Sequence, residues 1–136
     1  MAETLVPADS EPEAVTELKA RMPALGFPAP WGTRVPNPTP AEFGRVLAVG
    51  GGGRDLVTDS HTVTVEYFAT TETRAQRGCA FAVAALQAAG RDGLIAGTTC
   101  YGVRVSALPQ NLPMASLPDR FRFTATLSID LRRTAA

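Results

Sequence analysis

The sequence predicts an α+β fold, with a mostly antiparallel or mixed β-sheet and two helices packed on one face. Three observations predict it. Two stretches carry apolar residues at helical spacing, and several others alternate apolar and polar residues as half-buried strands do. Two of these strands are separated only by a glycine-rich loop, which is typical of a hairpin. The 136 residues, 45% of them apolar, suffice for one core and leave little room for two.

The chain is predicted to begin with a flexible tail over residues 1–9, followed by a single domain over residues 10–136. Ser10 and Glu13 match a capping box, in which each side chain bonds a free amide of the helix start, so a first helix is expected from Ser10. Gly26 is expected to end this helix.

The next segments predict an edge piece and a hairpin. Trp31–Val35 lies between prolines, which cannot serve a central strand, so it is expected at a sheet edge. Glu42–Gly50 and His61–Ala69 both alternate and predict two antiparallel strands. Gly50–Gly53 between them predicts a flexible loop at the hairpin tip.

A second helix is expected to start at a cap formed by Thr71 or Thr73 and to run to about Ala89. Its many alanines favour helix and allow close packing on a sheet. Thr99–Ala107 alternates again and predicts a further strand.

Leu108–Asp119 contains three prolines and predicts an ordered crossing loop. Arg120–Arg132 is the clearest strand, with one apolar and one polar face. At about 3.3 Å per residue it would span about 40 Å, long for so small a domain. Two interpretations stay open: the strand extends past the sheet or adds to a neighbour's sheet, or it contains a bend or bulge.

Nothing in the sequence predicts catalysis, a cofactor or a metal site. The single histidine, His61, follows Asp59 and Ser60, but adjacent residues of a strand point to different sides and cannot form a triad. The glycine run lacks the Gly-Lys-Ser/Thr ending of a phosphate loop. We therefore expect a non-enzyme.

The two cysteines, Cys79 and Cys100, with one histidine, fall short of the four ligands of a typical zinc site. Their positions in predicted helix and strand favour buried free thiols, and a disulfide between them stays open. The N-terminus has no signal-peptide pattern, and no stretch approaches the about 18 apolar residues of a membrane span, so we expect a cytosolic protein without membrane contact.

The charges balance, with 13 basic and 13 acidic residues, which argues against a generally basic nucleic-acid-binding protein. All basic residues but Lys19 are arginines, which suit planar contacts at interfaces, although a GC-rich genome would explain them equally. The polar face of the last predicted strand carries four residues that we take as a candidate subunit interface: Arg120, Arg122, Thr124 and Arg132.

One stretch resembles a known family: VPNPTPAEFGRVLAVGGGGRDLVTDSHTVTVEYFATTETRAQRGCAFAVAAL. Its proline-rich approach, glycine-containing hairpin and alanine-rich helix, with the closing strand at Pro118–Leu127, are similar to tail terminator proteins of long-tailed phages, especially actinobacteriophages. The resemblance covers about Thr33–Leu131. It implies a virion protein, assembled in the host cytoplasm, that forms a hexameric ring on the tail tube in the tail–neck region. The ring would stop tube polymerisation and offer the head-joining surface.

The resemblance also implies the partners: further copies of the chain, the tail tube protein and head-completion or neck proteins, with DNA only passing through the ring lumen. By analogy, two loops are expected to contact tube or neck, Leu108–Asp119 and the hairpin tip, whose candidate residues are Gly51, Gly52, Gly53, Arg54 and Asp55. Two alternatives stay open: another head–tail connector or tail-completion protein, or a small ligand-binding α+β domain.

Overall fold

The computed structural model describes residues 3–136. It contains eight strands and two α-helices in these residues: β1 Leu5–Val6, α1 Ser10–Arg21, β2 Trp31–Gly32, β3 Phe43–Gly53, β4 Thr58–Ala69, α2 Glu72–Asp92, β5 Leu94–Ile95, β6 Thr98–Asn111, β7 Phe121–Arg132 and β8 Thr134–Ala135. A six-stranded sheet has the order β2-β3-β4-β7-β6-β5, antiparallel except for the parallel β2–β3 pair. The predicted α+β class with a mixed sheet is confirmed.

Both helices pack on the same face of this sheet and enclose the core with it. The strand residues that face the helices follow the predicted alternation, as Val63, Val65 and Tyr67 show on β4; all three are buried. Helix α2 approaches strand β4 closely at Gly78, where a Cβ atom would lie 2.1 Å from Cδ2 of Tyr67. The core therefore depends on a glycine as well as on its alanines.

The start of α2 confirms one of the two predicted caps, because the hydroxyl of Thr71 accepts a hydrogen bond from the Arg74 amide at 3.4 Å. The predicted capping box at the start of α1 is wrong. Asp9 occupies the cap position without a side-chain hydrogen bond, and Ser10 is already a buried helical residue. The carboxylate of Glu13 instead bonds the hydroxyl of Thr98.

The two ends of the chain meet in a small second sheet. Strand β1 pairs antiparallel with β8, and the amide of Ala136 donates to the carbonyl of Thr4 at 2.9 Å. The prediction of a flexible tail over residues 1–9 therefore fails at Leu5–Val6, since these two residues pair with Ala135 and Thr134, 130 and 128 positions further along the chain. Residues 1–2 lie outside the described part of the chain.

The glycine run is strand and not a flexible loop. Gly51–Gly53 pair with the start of β4, and the turn is formed by Arg54–Val57. A bulge precedes them, with positive φ at Gly50 (101°) and Gly51 (127°). A Cβ at Gly51 would lie 2.1 Å from the carbonyl oxygen of Ser60, so glycine is needed there for the two strands to approach.

The two remaining differences concern β6 and β7. Strand β6 continues to Asn111, so the predicted crossing loop begins four residues later than expected. Strand β7 pairs with β4 on one side and β6 on the other, without a register shift against β4. The idea that it extends past the sheet or adds to a neighbour's sheet is wrong, because both of its backbone edges are occupied. The irregularities lie in β6.

Candidate assembly surface

The sheet face opposite the helices, called here the open face, carries a buried charge cluster. Glu66, whose side chain is only 4% exposed, accepts a hydrogen bond from Arg45 at 2.5 Å and another from Arg122 at 2.8 Å. Arg122 also donates to the carbonyl of Leu112 at 2.6 Å. Arg122 is therefore engaged within its own subunit.

The neighbouring part of the open face is covered by loops. Phe43 and Phe68 stack there with ring centroids 4.3 Å apart, and both are fully buried. Arg120 stabilises the loop that contains Thr39 and Pro40. Its guanidinium donates hydrogen bonds to the carbonyls of Pro40 (3.0 and 3.1 Å) and Thr39 (3.4 Å). Its side chain is 12% exposed. Arg120 thus stabilises the fold and leaves little area for a partner.

The other end of the open face holds a cleft of about 530 Å³ around Asp130. Asp130 accepts a short 2.6 Å hydrogen bond from the hydroxyl of Ser60. Arg54 and Arg104 approach it at 3.4 and 3.5 Å, and their side chains stay 51% and 67% exposed. These two guanidiniums face solvent with most of their donors.

The predicted interface residues therefore do not share one accessible surface. Thr124 is buried at 6% exposure, and Arg120 and Arg122 serve internal contacts. Arg132 is the exposed member, and it donates to the hydroxyl of Tyr101 at 3.1 Å. Sequence alternation gives the face of a side chain, whereas the loops that cover that face are long-range features.

The hairpin turn lies at Arg54–Val57, so only Arg54 and Asp55 of the five candidate tip residues belong to it, and Gly51–Gly53 are strand. Asp55 accepts hydrogen bonds from the amides of Val57 (2.9 Å) and Thr58 (2.8 Å), and the Val57 bond in particular lowers the pKa of the Asp55 carboxyl. Leu56 is 90% exposed at the tip. Sequence reasoning missed Leu56, although an apolar residue inside a turn is an available signal.

Asp59 and Ser60, the two residues before His61, make separate contacts, as expected for consecutive residues of a strand. Asp59 binds Arg133 through two hydrogen bonds of 2.8 and 2.9 Å, and Ser60 binds Asp130. Nε2 of His61 is buried without a partner in the described residues. Within residues 3–136, no three His, Cys, Asp or Glu side chains are placed to hold a metal ion.

The sequence left open whether Cys79 and Cys100 form a disulfide. In the structure both are buried free thiols, as the sequence favoured. Burial raises the pKa of the Cys79 thiol to about 12. Burial also raises the pKa of the Cys100 thiol.

The two lateral edges of the main sheet are open along much of their length. Strand β2 pairs with β3 only at Gly44 and Arg45, and β5 pairs with β6 only at Thr98 and Thr99. Over residues 3–136, no strand covers the rest of either edge. We call the two strips the β3 edge (Val46–Gly53) and the β6 edge (Gly102–Asn111).

Large apolar side chains are exposed at both edges. Val49 is 55% exposed at the β3 edge, and Leu108 is 72% exposed at the β6 edge. Tyr101, just before the β6 edge, is 49% exposed. Leu108 is not among the residues predicted from the sequence, because the three prolines of Leu108–Asp119 predict a loop and Leu108 lies out of phase with Val103 and Val105.

Comparison with models of known protein families gave no match for this chain. A search of curated protein sequences gave no match either. Across residues 3–136, neither helix combines the length and the apolar character needed to cross a lipid bilayer.

Proposed function

We propose that this chain is a structural subunit of a phage tail that assembles into a ring, ends polymerisation of the tail tube and presents the surface to which the head is joined. The protein catalyses no reaction and binds no cofactor. Its partners are its own copies, the tube protein and the head-completion proteins. DNA passes through the lumen. Two things support this proposal: the family resemblance over Thr33–Leu131 and the two open edges of the main sheet.

The observation that carries the proposal is the pair of open edges on opposite sides of one sheet. Unpaired strand edges are templates for association, and monomeric proteins usually cover them. Two different edges on opposite sides form a head-to-tail contact, which closes into a ring when the rotation between copies allows it. The exposed Val49 and Leu108 add apolar area at these edges.

The surfaces left for the tube and neck proteins are the loops that follow the ends of the two edge strands. The hairpin tip offers Arg54 and the exposed Leu56. The loop between β6 and β7 offers a second surface at residues 112–119, part of the segment nominated from the sequence. Exposed loops held by a rigid sheet are a common location for partner contacts.

Native mass spectrometry of the full chain over a concentration series tests the assembly. The wild type is expected to form a closed oligomer, whereas Leu108→Lys, which places a charge at the β6 edge, is expected to remain monomeric. Leu25→Lys is the matched control, because Leu25 is 41% exposed on the turn after α1, away from both edges. Equal assembly of both variants would contradict a role of the β6 edge.

The gene order offers a second test. We expect a tail tube gene immediately downstream. Binding of the assembled ring to isolated necks and not to tube ends would assign the protein to another connector position of the virion.

A further inference from the structure

One side chain of α1 occupies the position at the β3 edge that an added strand would need. The carboxylate of Glu11 accepts a hydrogen bond from the backbone amide of Ala48 at 2.8 Å. The residues are 37 positions apart, so this contact exists only in the folded chain.

The amide of Ala48 points away from the sheet. Along an antiparallel strand, the amide of every second residue points to the same side. The amide of Gly44, four positions earlier, donates to the carbonyl of Pro30 on the outer side at 2.9 Å. Ala48 has the same phase and pairs in register with Val63. Its amide is therefore a donor that an incoming strand would bind.

We propose that the β3 edge is the docking edge for the β6 edge of a second copy, and that Glu11 covers it in the free subunit. Docking requires the Glu11 carboxylate to leave Ala48 so that a carbonyl of the incoming strand replaces it. This inference rests on the proposed ring. It specifies which two edges meet between copies and which side chain opposes their pairing.

The two edges suit each other in shape. Beyond Ala48 the β3 edge continues with the exposed Gly50–Gly53, which present no side chains to an incoming strand. The β6 edge brings the exposed Leu108, and the exposed Tyr101 directly precedes this edge on the same strand. Aromatic side chains such as that of Tyr101 stabilise strand pairs when they lie opposite edge glycines.

Glu17 provides a matched control on the same helix. Its carboxylate accepts a hydrogen bond from the amide of Ala96 at 2.9 Å, in the turn between β5 and β6, outside both edges. Glu17→Ala therefore removes a contact of the same type between α1 and a backbone amide without freeing the β3 edge. Glu17 also pairs with Arg21, so this variant is expected to lose at least as much stability as Glu11→Ala.

The test measures assembly of the full chain by sedimentation velocity over a concentration series. A net hydrogen bond of this kind corresponds to a change of about threefold to tenfold in an equilibrium constant. Glu11→Ala is expected to lower the concentration at half-assembly by about this factor, and Glu17→Ala is not. Glu11→Gln, which keeps an acceptor, is expected to fall between Glu11→Ala and wild type.

Hydrogen exchange of the Ala48 amide in the monomer is the second readout, with faster exchange expected in Glu11→Ala. An unchanged assembly concentration, or the same shift in Glu17→Ala, overturns the role of Glu11 and leaves the ring standing. If all variants exchange as expected and none assembles at any concentration, both the docking edge and the proposed ring are wrong.

Discussion

Arg122 donates a hydrogen bond of 2.8 Å to Glu66, a carboxylate whose side chain is 4% exposed. From the sequence, Arg122 is a candidate residue of the subunit interface. Because Arg122 binds Glu66, an Arg122 variant does not test a subunit interface. A charge reversal at Arg122 would place two carboxylates together inside the subunit. An assembly defect in such a variant would follow from damage to the fold.

Arg122→Met is expected to destabilise the monomer by about 2–3 kcal/mol, since it leaves the buried Glu66 with Arg45 as its remaining charged partner. Urea unfolding measures this change. Arg104→Met is the control, because Arg104 is 67% exposed and contacts Asp130 at 3.5 Å; its cost should stay below about 0.5 kcal/mol. Equal costs for the two variants would refute the buried cluster.

Gly78→Ala is expected to cost about 2–3 kcal/mol, although alanine is favoured in a helix by about 1 kcal/mol. The added Cβ would meet the ring of Tyr67, which is fully buried and cannot move aside. Thermal unfolding measures the change. Gly32→Ala is the control, since its Cβ would have no atom within 4 Å. A stabilised Gly78→Ala variant would show that α2 packs farther from β4.

Glu42→Gln is expected to weaken the protein at pH 7 by about 1 kcal/mol. Hydrogen bonds of 2.9 Å from Arg74 are the main cause that lowers the pKa of Glu42 in the folded state. A lowered folded-state pKa stabilises the protein above the ordinary value of 4.5, and this contribution is lost as the pH falls through the folded pKa. The difference between variant and wild type should therefore shrink below about pH 4.5.

Urea unfolding at pH 7 and pH 3 checks the Glu42 prediction. Glu72→Gln serves as the control, because it is the same substitution at an exposed glutamate in the first turn of α2. A Glu42→Gln effect that is the same at both pH values would assign its cost to packing and not to charge.

Both thiols are expected to be protected from reagents in the folded chain, whether or not it assembles. Cys79 and Cys100 are buried, and the raised pKa of about 12 at Cys79 leaves little thiolate at pH 8. A chromogenic disulfide reagent should therefore react slowly with the native chain and at once with both thiols in urea. Cys100→Ser, as the matched variant, identifies which thiol reacts. Rapid labelling of one thiol in the native protein would mean that its surroundings open.

Local patterns predicted most of the fold because the helices and strands are half buried. The alternation in β4 and β7 indicated the faces correctly, since one side of each strand packs under the helices. The glycine run of β3 has no side chains to alternate, and its strand pairing depends on the bulge at Gly50 and Gly51. Composition alone could not distinguish that arrangement from a flexible loop.

The candidate surface was less predictable, because it depends on contacts between distant segments. The pairing of Arg45 with Glu66 follows from the register of two strands, which sequence spacing does not determine. The Glu11–Ala48 contact joins a helix side chain to a backbone amide and has no sequence signature. Arg122 and Thr124 were assigned to the correct face, but the loops that cover this face were not predicted.

Tail tube assembly in the presence of the full chain tests the central proposal most directly. We expect the tube protein to be encoded by the next gene downstream. The purified tube protein is polymerised with and without this chain, and electron microscopy records the lengths and the ends of the tubes. The proposal predicts shorter tubes, each with a ring of this protein at one end and a DNA-sized lumen. Tubes of unchanged length with bare ends, together with a chain that stays monomeric, would contradict it.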